Sequence, residues 1–354
     1  MLNSHPWNDD LWDPLIATAR EIPHALLLVG SRGLGKSDFA LRLAASQLCP
    51  HSATIGQACG QCQSCRLFLA CTHPDLHMVQ AESTTQVTDG LMADYAQRYH
   101  DIPMGDRKPR TVIGVDVIRQ LIDALITHPH LGHRKVAVIH PADAMNLNAS
   151  NALLKLVEEP PTDTLLLLIT TFPFKLPPTL RSRCMKVDFK APHPNVARQW
   201  LTTNGVAEDT CALFLALAGG APLKALALAK HDFIGQRDEW LSDVEGLING
   251  VEDPIACASR WQQTGAAVAL EWLQNLTSDL ITLAAVPAPP RLHNADVADR
   301  LCDLNNNVES ATLHGLYDNI GKLRAILDSV DERLLIEDIL IKLTPRREST
   351  QVSP

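Results

Sequence analysis

The chain has 354 residues, 46% of them apolar, 20% charged and 5% aromatic; this is about twice the size of a typical domain, so two or three globular units are expected. No stretch approaches eighteen consecutive apolar residues, and the start Met1-Leu2-Asn3-Ser4-His5-Pro6-Trp7 lacks the basic, apolar, small-residue order of a secretory signal, so neither a membrane nor a secreted protein is expected. The net charge of −9 is concentrated C-terminally, with 21 Lys and Arg against 20 Asp and Glu in residues 1–230 and 10 against 20 in residues 231–354; a protein that wrapped a duplex alone would show a basic face, so any nucleic-acid role is expected to be shared with partners.

Ala25-Leu26-Leu27-Leu28-Val29 is a continuous apolar run, the mark of a strand buried on both faces. Directly after it stands Gly30-Ser31-Arg32-Gly33-Leu34-Gly35-Lys36-Ser37, a full G-x-x-x-x-G-K-S phosphate loop, followed by the helical pattern Phe39, Leu41, Leu43, Ala44. Gly30, Gly33 and Gly35 free backbone N–H groups to turn toward phosphate oxygens, Lys36 reaches the outer phosphates, and Ser37 has the hydroxyl that ligates Mg²⁺ in such loops.

Nine cysteines, five of them between Cys49 and Cys71, suit a reduced cytoplasmic protein holding a metal better than a disulfide framework. Cys59-Gly60-Gln61-Cys62-Gln63-Ser64-Cys65 is C-x₂-C-x₂-C, and with Cys49 as the favoured fourth ligand it reads as a closed structural Zn²⁺ site; Cys71 and His73 are the alternatives for the fourth position. Zinc stands ahead of an iron–sulfur cluster because no proline follows Cys65. Residues 82–110, rich in Thr, Gln, Asp, Gly and Arg with few apolar anchors, read as an exposed insertion of the composition that stays partly disordered.

Lys135-Val136-Ala137-Val138-Ile139 and Leu165-Leu166-Leu167-Leu168-Ile169-Thr170 repeat the buried-strand character, and between them Asn148 to Val157 carries Leu153, Leu154 and Val157 at helical spacing until Glu158-Glu159-Pro160-Pro161 stops it. In a P-loop hydrolase the middle strand ends in a carboxylate for Mg²⁺ and a second acid that orients the attacking water. Here those positions are His140 and Pro141. Neutral imidazole is a poor ligand for a hard cation and proline has no side-chain base, while Asp143 lies three residues further on, where a turn or a helix cap is expected. The site reads as one that holds a nucleotide without readily cleaving it.

From about residue 192 strand signals vanish. Val196 to Leu201, Cys211 to Leu217 and Leu223 to Lys230 are helical, with a Gly219-Gly220 break. Three long stripes follow: Leu270, Leu273, Leu276, Leu280, Leu283; Leu313, Leu316, Ile320, Leu323, Leu327; and Leu335, Ile336, Ile339, Leu340, Leu343. Such stripes are core packing of a helical bundle. Val286-Pro287-Ala288-Pro289-Pro290 reads as a loop within it, and the last residues as a frayed tail.

The phosphate loop, the cysteine knuckle, Asn151-Ala152-Leu153-Leu154-Lys155-Leu156-Val157-Glu158-Glu159-Pro160-Pro161 and Leu180-Arg181-Ser182-Arg183-Cys184, in that order, resemble the bacterial clamp-loader subunits of DNA polymerase III, members of the AAA+ class. Two branches share these motifs, the ATP-hydrolysing tau/gamma motor and the non-hydrolysing delta-prime branch; His140-Pro141 and the chain length favour the latter, and a motor using Asp143 as its metal carboxylate is the alternative. The resemblance implies an α/β plus all-α architecture: a RecA-like AAA+ parallel-sheet domain over 1–190 with its zinc module at about 49–71 and the insertion at about 82–110, a small helical lid over 191–232, a helical collar over 233–345 and a tail over 346–354. It further implies a hetero-pentamer with motor and delta subunits, acting with the sliding clamp and primed DNA, in which Arg183 projects as an arginine finger into a neighbour's ATP site. Thr171 matches the position that watches the γ-phosphate, with Thr170 close enough to leave the register open. Pro222-Leu223-Lys224 stands where an active ATPase places a sensor arginine. Whether ATP or ADP is resident, and whether Mg²⁺ accompanies it, is left open by the resemblance.

Overall fold

The computed structural model describes residues 3–344, apart from 18–21, 53–56, 88–89, 101–108, 133, 287–288, 290 and 327–329. The chain divides into two compact units, Met1–Pro192 and His193–Pro354.

The first unit is built on a five-stranded, all-parallel sheet of order β2-β3-β4-β1-β5, with β1 Ala25–Val29, β2 Leu76–Val79, β3 Lys135–Ile139, β4 Thr164–Thr170 and β5 Met185–Asp188. The three strands expected from their apolar runs are the central ones, and every residue in them is buried. The two edge strands were not legible: β5 buries only Val187 and is too polar, and β2 is only four residues long, too short to stand out from a loop. Pleating divides the central residues between two faces. Ala25, Leu27, Val29, Ala137, Ile139, Leu166 and Leu168 join one core with Ile118, Leu121, Leu153 and Leu156. Leu26, Leu28, Val136, Val138, Leu165 and Leu167 are fully covered on the other face. Leu167→Ala in β4 is expected to lower stability by about 2–5 kcal/mol, read from the urea midpoint of this unit.

Helices of this unit are α1 (Asp9–Ala17), α2 (Lys36–Leu48), α3 (Gln63–Leu69), α4 (Glu82–Val87), α5 (Leu91–Ala96), α6 (Val115–Ile126), α7 (Leu147–Glu158) and α8 (Pro178–Arg181). Asn146 caps α7 by accepting from Ala149 N at 2.8 Å, and the helix ends at Glu158, where Pro160 and Pro161 forbid another turn. The expectation of an exposed insertion at 82–110 is corrected over its described part. Residues 91–99 are helical, with Met92, Ala93, Tyr95, Ala96 and Tyr99 buried. Tyr95 Oη donates to Phe68 O at 3.0 Å and receives His73 N at 3.3 Å. Two tyrosines anchor what composition alone had assigned to solvent, because a tyrosine's ring packs while its hydroxyl satisfies backbone groups. Residues 88–89 and 101–108 of that segment lie outside the described residues.

The second unit is all helical: α9 (Pro194–Thr203), α10 (Glu208–Leu217), α11 (Pro222–Ala229), α12 (Phe233–Ile248), α13 (Pro254–Gln262), α14 (Ala266–Ala285), α15 (Ala298–Asn305), α16 (Ser310–Ile326) and α17 (Glu332–Leu343). It holds two cores. A small one gathers Leu201, Cys211, Phe214, Leu217 and Ala225. A large one contains the stripes of α14, α16 and α17 around Trp240, Trp261 and Trp272, whose ring centroids lie 5.4–5.8 Å apart. No single helix among the described residues is long and apolar enough to cross a membrane. Leu327, part of the Pro-rich segment at 286–290 and the tail at 346–354 lie outside the described residues.

Candidate functional site

The phosphate loop occupies the turn between β1 and α2, at the edge where all five strands end. Gly33 and Gly35 take positive φ of 80° and 83°, a region that side chains rarely tolerate, and a Cβ on Gly35 would lie 2.5 Å from His5 Cδ2. Lys36 is buried at the first position of α2, its Nζ donating to Gly30 O at 2.6 Å and Ser31 O at 2.7 Å. Burial, with the nearby charge of Arg32, holds its ammonium down at about 8 against the opposing pull of Asp143.

An N-terminal strap that sequence reasoning missed braces this loop. Trp7 Nε1 and Asn8 Nδ2 each donate to Leu34 O at 3.0 Å. His5 Nε2 meets Asp38 Oδ2, in the first turn of α2, at 2.8 Å, and its ring stacks on Trp7 with centroids 4.8 Å apart. No periodic pattern marks these residues; only the unusual His-Pro-Trp-Asn string could have drawn attention to them.

At the tip of β3, His140 Nδ1 lies 3.3 Å from Gln80 Nε2. Burial first, then the charge of Lys36, push its imidazole down to about 4, so it is neutral near pH 7 and adds no carboxylate-like charge. Asp143 falls in the single 3₁₀ turn Ala142–Ala144. Its Oδ1 accepts from the Thr170 hydroxyl and from Thr171 N, the latter at 3.2 Å. The structure therefore turns the side chain of Thr170, the last residue of β4, toward Asp143, whereas Thr171 contributes its backbone amide there. A strand's alternation decides this: sequence could not tell which of two adjacent threonines turns its hydroxyl toward Asp143.

The cysteine expectation concerns a local run and one thiol ten residues before it, which the fold gathers. Cys49, Cys59, Cys62 and Cys65 place their Sγ atoms within 4.8 Å of one another, with Cys49–Cys62 and Cys59–Cys65 at 3.9 Å. Backbone N–H groups of Cys59, Cys62 and Cys65 each point at a sulfur, on Cys49, Cys59 and Cys62, at 3.4 Å. Hydrogen bonds from the backbone of Gln61 and Cys62 draw the Cys59 thiol down to about 6. Four convergent sulfurs with N–H donors to stabilise thiolates fit a tetrahedral metal ion. Cys71 is elsewhere, 3.7 Å from Asp94 Oδ2, and His73 is buried against Ser64 Oγ at 2.8 Å; neither joins the cluster.

Arg183 follows α8 on the surface, 42% exposed, its Nη2 2.9 Å from Glu158 Oε1 and its Nη1 donating to Thr179 O at 3.0 Å. The two motifs that looked independent in sequence are thus joined: the acid ending α7 holds the arginine after α8.

A family profile described as "DNA polymerase III, delta subunit" matches residues 14–193, and one described as "DNA polymerase III, delta subunit, C terminal" matches 231–344. The DNA polymerase III subunit delta' of Pseudomonas aeruginosa is 32% identical over 350 residues, covering 97% of this chain and 98% of its own length. The chain belongs to the DNA polymerase III delta-prime family. The Escherichia coli subunit delta' is 29% identical over 96% of this chain and 95% of its own. By contrast, the tau/gamma subunit of Haemophilus influenzae is 33% identical over 48% of this chain and 20% of its own length.

Within this delta-prime chain, Lys224 of α11, where the resemblance implied a sensor residue, has its partner in the same unit. Lys224 Nζ lies 3.4 Å from Glu271 Oε2 on α14, and the other oxygen of Glu271 accepts from Arg324 Nη2 at 3.2 Å. A delta-prime subunit built this way directs Lys224 to its own helical bundle.

Proposed function

We propose that this chain is the stator of the DNA polymerase III clamp loader, one that grips nucleotide without turning it over and supplies Arg183 to the ATP site of a neighbouring tau/gamma-type motor. In this reading the motor subunits and the delta subunit complete a hetero-pentamer that places the sliding clamp on primed DNA in the cytoplasm. Residues 1–190 form the AAA+ unit, 191–232 the lid and 233–345 the collar that joins the ring. Gly30, Gly33, Gly35, Lys36 and Ser37 cradle the phosphates, with Thr170 and Thr171 behind them. Cys49, Cys59, Cys62 and Cys65 hold a structural zinc ion.

The observation that carries this reading is the pairing of two features. Hydrolysis needs a metal carboxylate and an acid that orients water, and the tip of β3 offers His140 and Pro141, with Asp143 bound to the two threonines. Meanwhile a guanidinium that serves no buried role in its own chain stands exposed beside Glu158. Steady-state phosphate release by the isolated, zinc-replete chain tests it: the expected rate is indistinguishable from that of Lys36→Ala. Turnover that Lys36→Ala abolishes would overturn the stator reading.

A further inference from the structure

Resting on the reading that the phosphate loop holds a nucleotide, we infer that it does so without a divalent metal, Arg32 supplying the positive charge that Mg²⁺ supplies in hydrolysing relatives of such loops. The ligand class is thus a nucleoside di- or triphosphate in its metal-free form.

The donor set around the loop does not fit a hard cation. Mg²⁺ demands near-octahedral oxygen ligands, commonly one or two carboxylates besides the phosphates and a loop hydroxyl. The carboxylates nearest the loop have partners of their own: Asp38 is with His5 at 2.8 Å, Asp143 with the Thr170 hydroxyl and Thr171 N, and Asp188, opposite Val29 on β5, with Lys186 at 2.7 Å. His140, at the strand tip where a metal-binding acid would stand, faces Gln80.

The cations, by contrast, are in place. Lys36 is buried beneath the loop, on the carbonyls of Gly30 and Ser31. Arg32 occupies the exposed crown of the same loop, close enough that its charge acts on both Lys36 and His140. The charge of Arg32 disfavours that of Lys36, an anion bound at the loop relieves this, and a guanidinium matches a phosphate with two parallel N–H bonds. With the N-terminus of the 13-residue helix α2 behind them, they offset a diphosphate's charge without a metal.

The test measures ADP and ATP binding to the full-length, zinc-replete chain by calorimetry, in magnesium-free buffer and in excess Mg²⁺. Magnesium is removed by dialysis rather than by a chelator so that the cysteine cluster keeps its metal, checked by mass spectrometry. The expected dissociation constants agree within about twofold in the two buffers, and Arg32→Gln, an exposed change that leaves the fold intact, weakens both about tenfold. His140→Asp, which creates the missing ligand, is expected to make binding tighten on adding Mg²⁺. Wild-type affinity that rises about tenfold or more with Mg²⁺, or that ignores Arg32→Gln, overturns the inference while leaving the loop a nucleotide site. Absence of binding in both buffers overturns the nucleotide reading itself, and this inference with it.

Discussion

Replacing Arg183 with alanine is expected to slow clamp- and DNA-stimulated ATP hydrolysis in the reconstituted assembly about a thousandfold at the site it faces, with the chain's own fold and stability unchanged. A thousandfold corresponds to about 4 kcal/mol of transition-state stabilisation. Set against this is the cost of freeing the side chain from its present partner. The Glu158 pair is 42% exposed on both sides, and ion pairs of that kind contribute about 0–1 kcal/mol. Trading Glu158 for a phosphate carrying developing charge is therefore strongly downhill. The same comparison predicts that Glu158→Gln changes the stimulated rate by no more than about fivefold. An assembly containing Arg183→Ala that hydrolyses ATP at the wild-type rate would exclude the finger role, whatever the isolated chain does.

The second large effect concerns the cysteine cluster. Cys62→Ser is expected to reduce bound zinc from about one ion per chain to nearly none, and to open residues 49–71 to proteolysis. Cys62 is central to the cluster: its sulfur lies 3.9 Å from that of Cys49 and receives Cys65 N at 3.4 Å. Structural zinc contributes roughly 10–16 kcal/mol of apparent binding free energy in small modules, far more than so short a knuckle gains from packing alone. Cys71→Ser is the control and is expected to retain zinc, since its thiol faces Asp94. If Cys71→Ser loses the metal while Cys49→Ser keeps it, the ligand set is wrong. Zinc content by mass spectrometry and limited proteolysis read both outcomes.

Legibility in the sequence followed the physical origin of each feature. Buried central strands announce themselves because both faces must be apolar, so the runs at 25–29, 135–139 and 165–170 could not be mistaken. The edge strand at 185–188 carries no such demand, and the one at 76–79, although Leu76, Met78 and Val79 are buried, is too short a run to be told from a loop. The glycine-rich loop and the C-x₂-C-x₂-C spacing were visible because chemistry constrains residues adjacent in the chain. The strap was not: Trp7 and Asn8 meet Leu34 across 27 and 26 residues, and His5 meets Asp38 across 33. Nor was the buried role of Tyr95 and Tyr99 in a segment whose average polarity suggested solvent.

Taken by itself, the sequence determined the class of the first unit, the helical nature of the second, the phosphate loop, the cysteine knuckle and the substitution of histidine and proline for the acid pair, since each is a local pattern enforced by backbone geometry or ligand chemistry. Only the tertiary structure decided that Cys49 rather than Cys71 or His73 completes the cluster, that Thr170 rather than Thr171 turns its hydroxyl to Asp143, and that Glu158 holds Arg183. Those choices depend on where side chains distant in sequence converge, and convergence is set by packing, which no window along the chain contains.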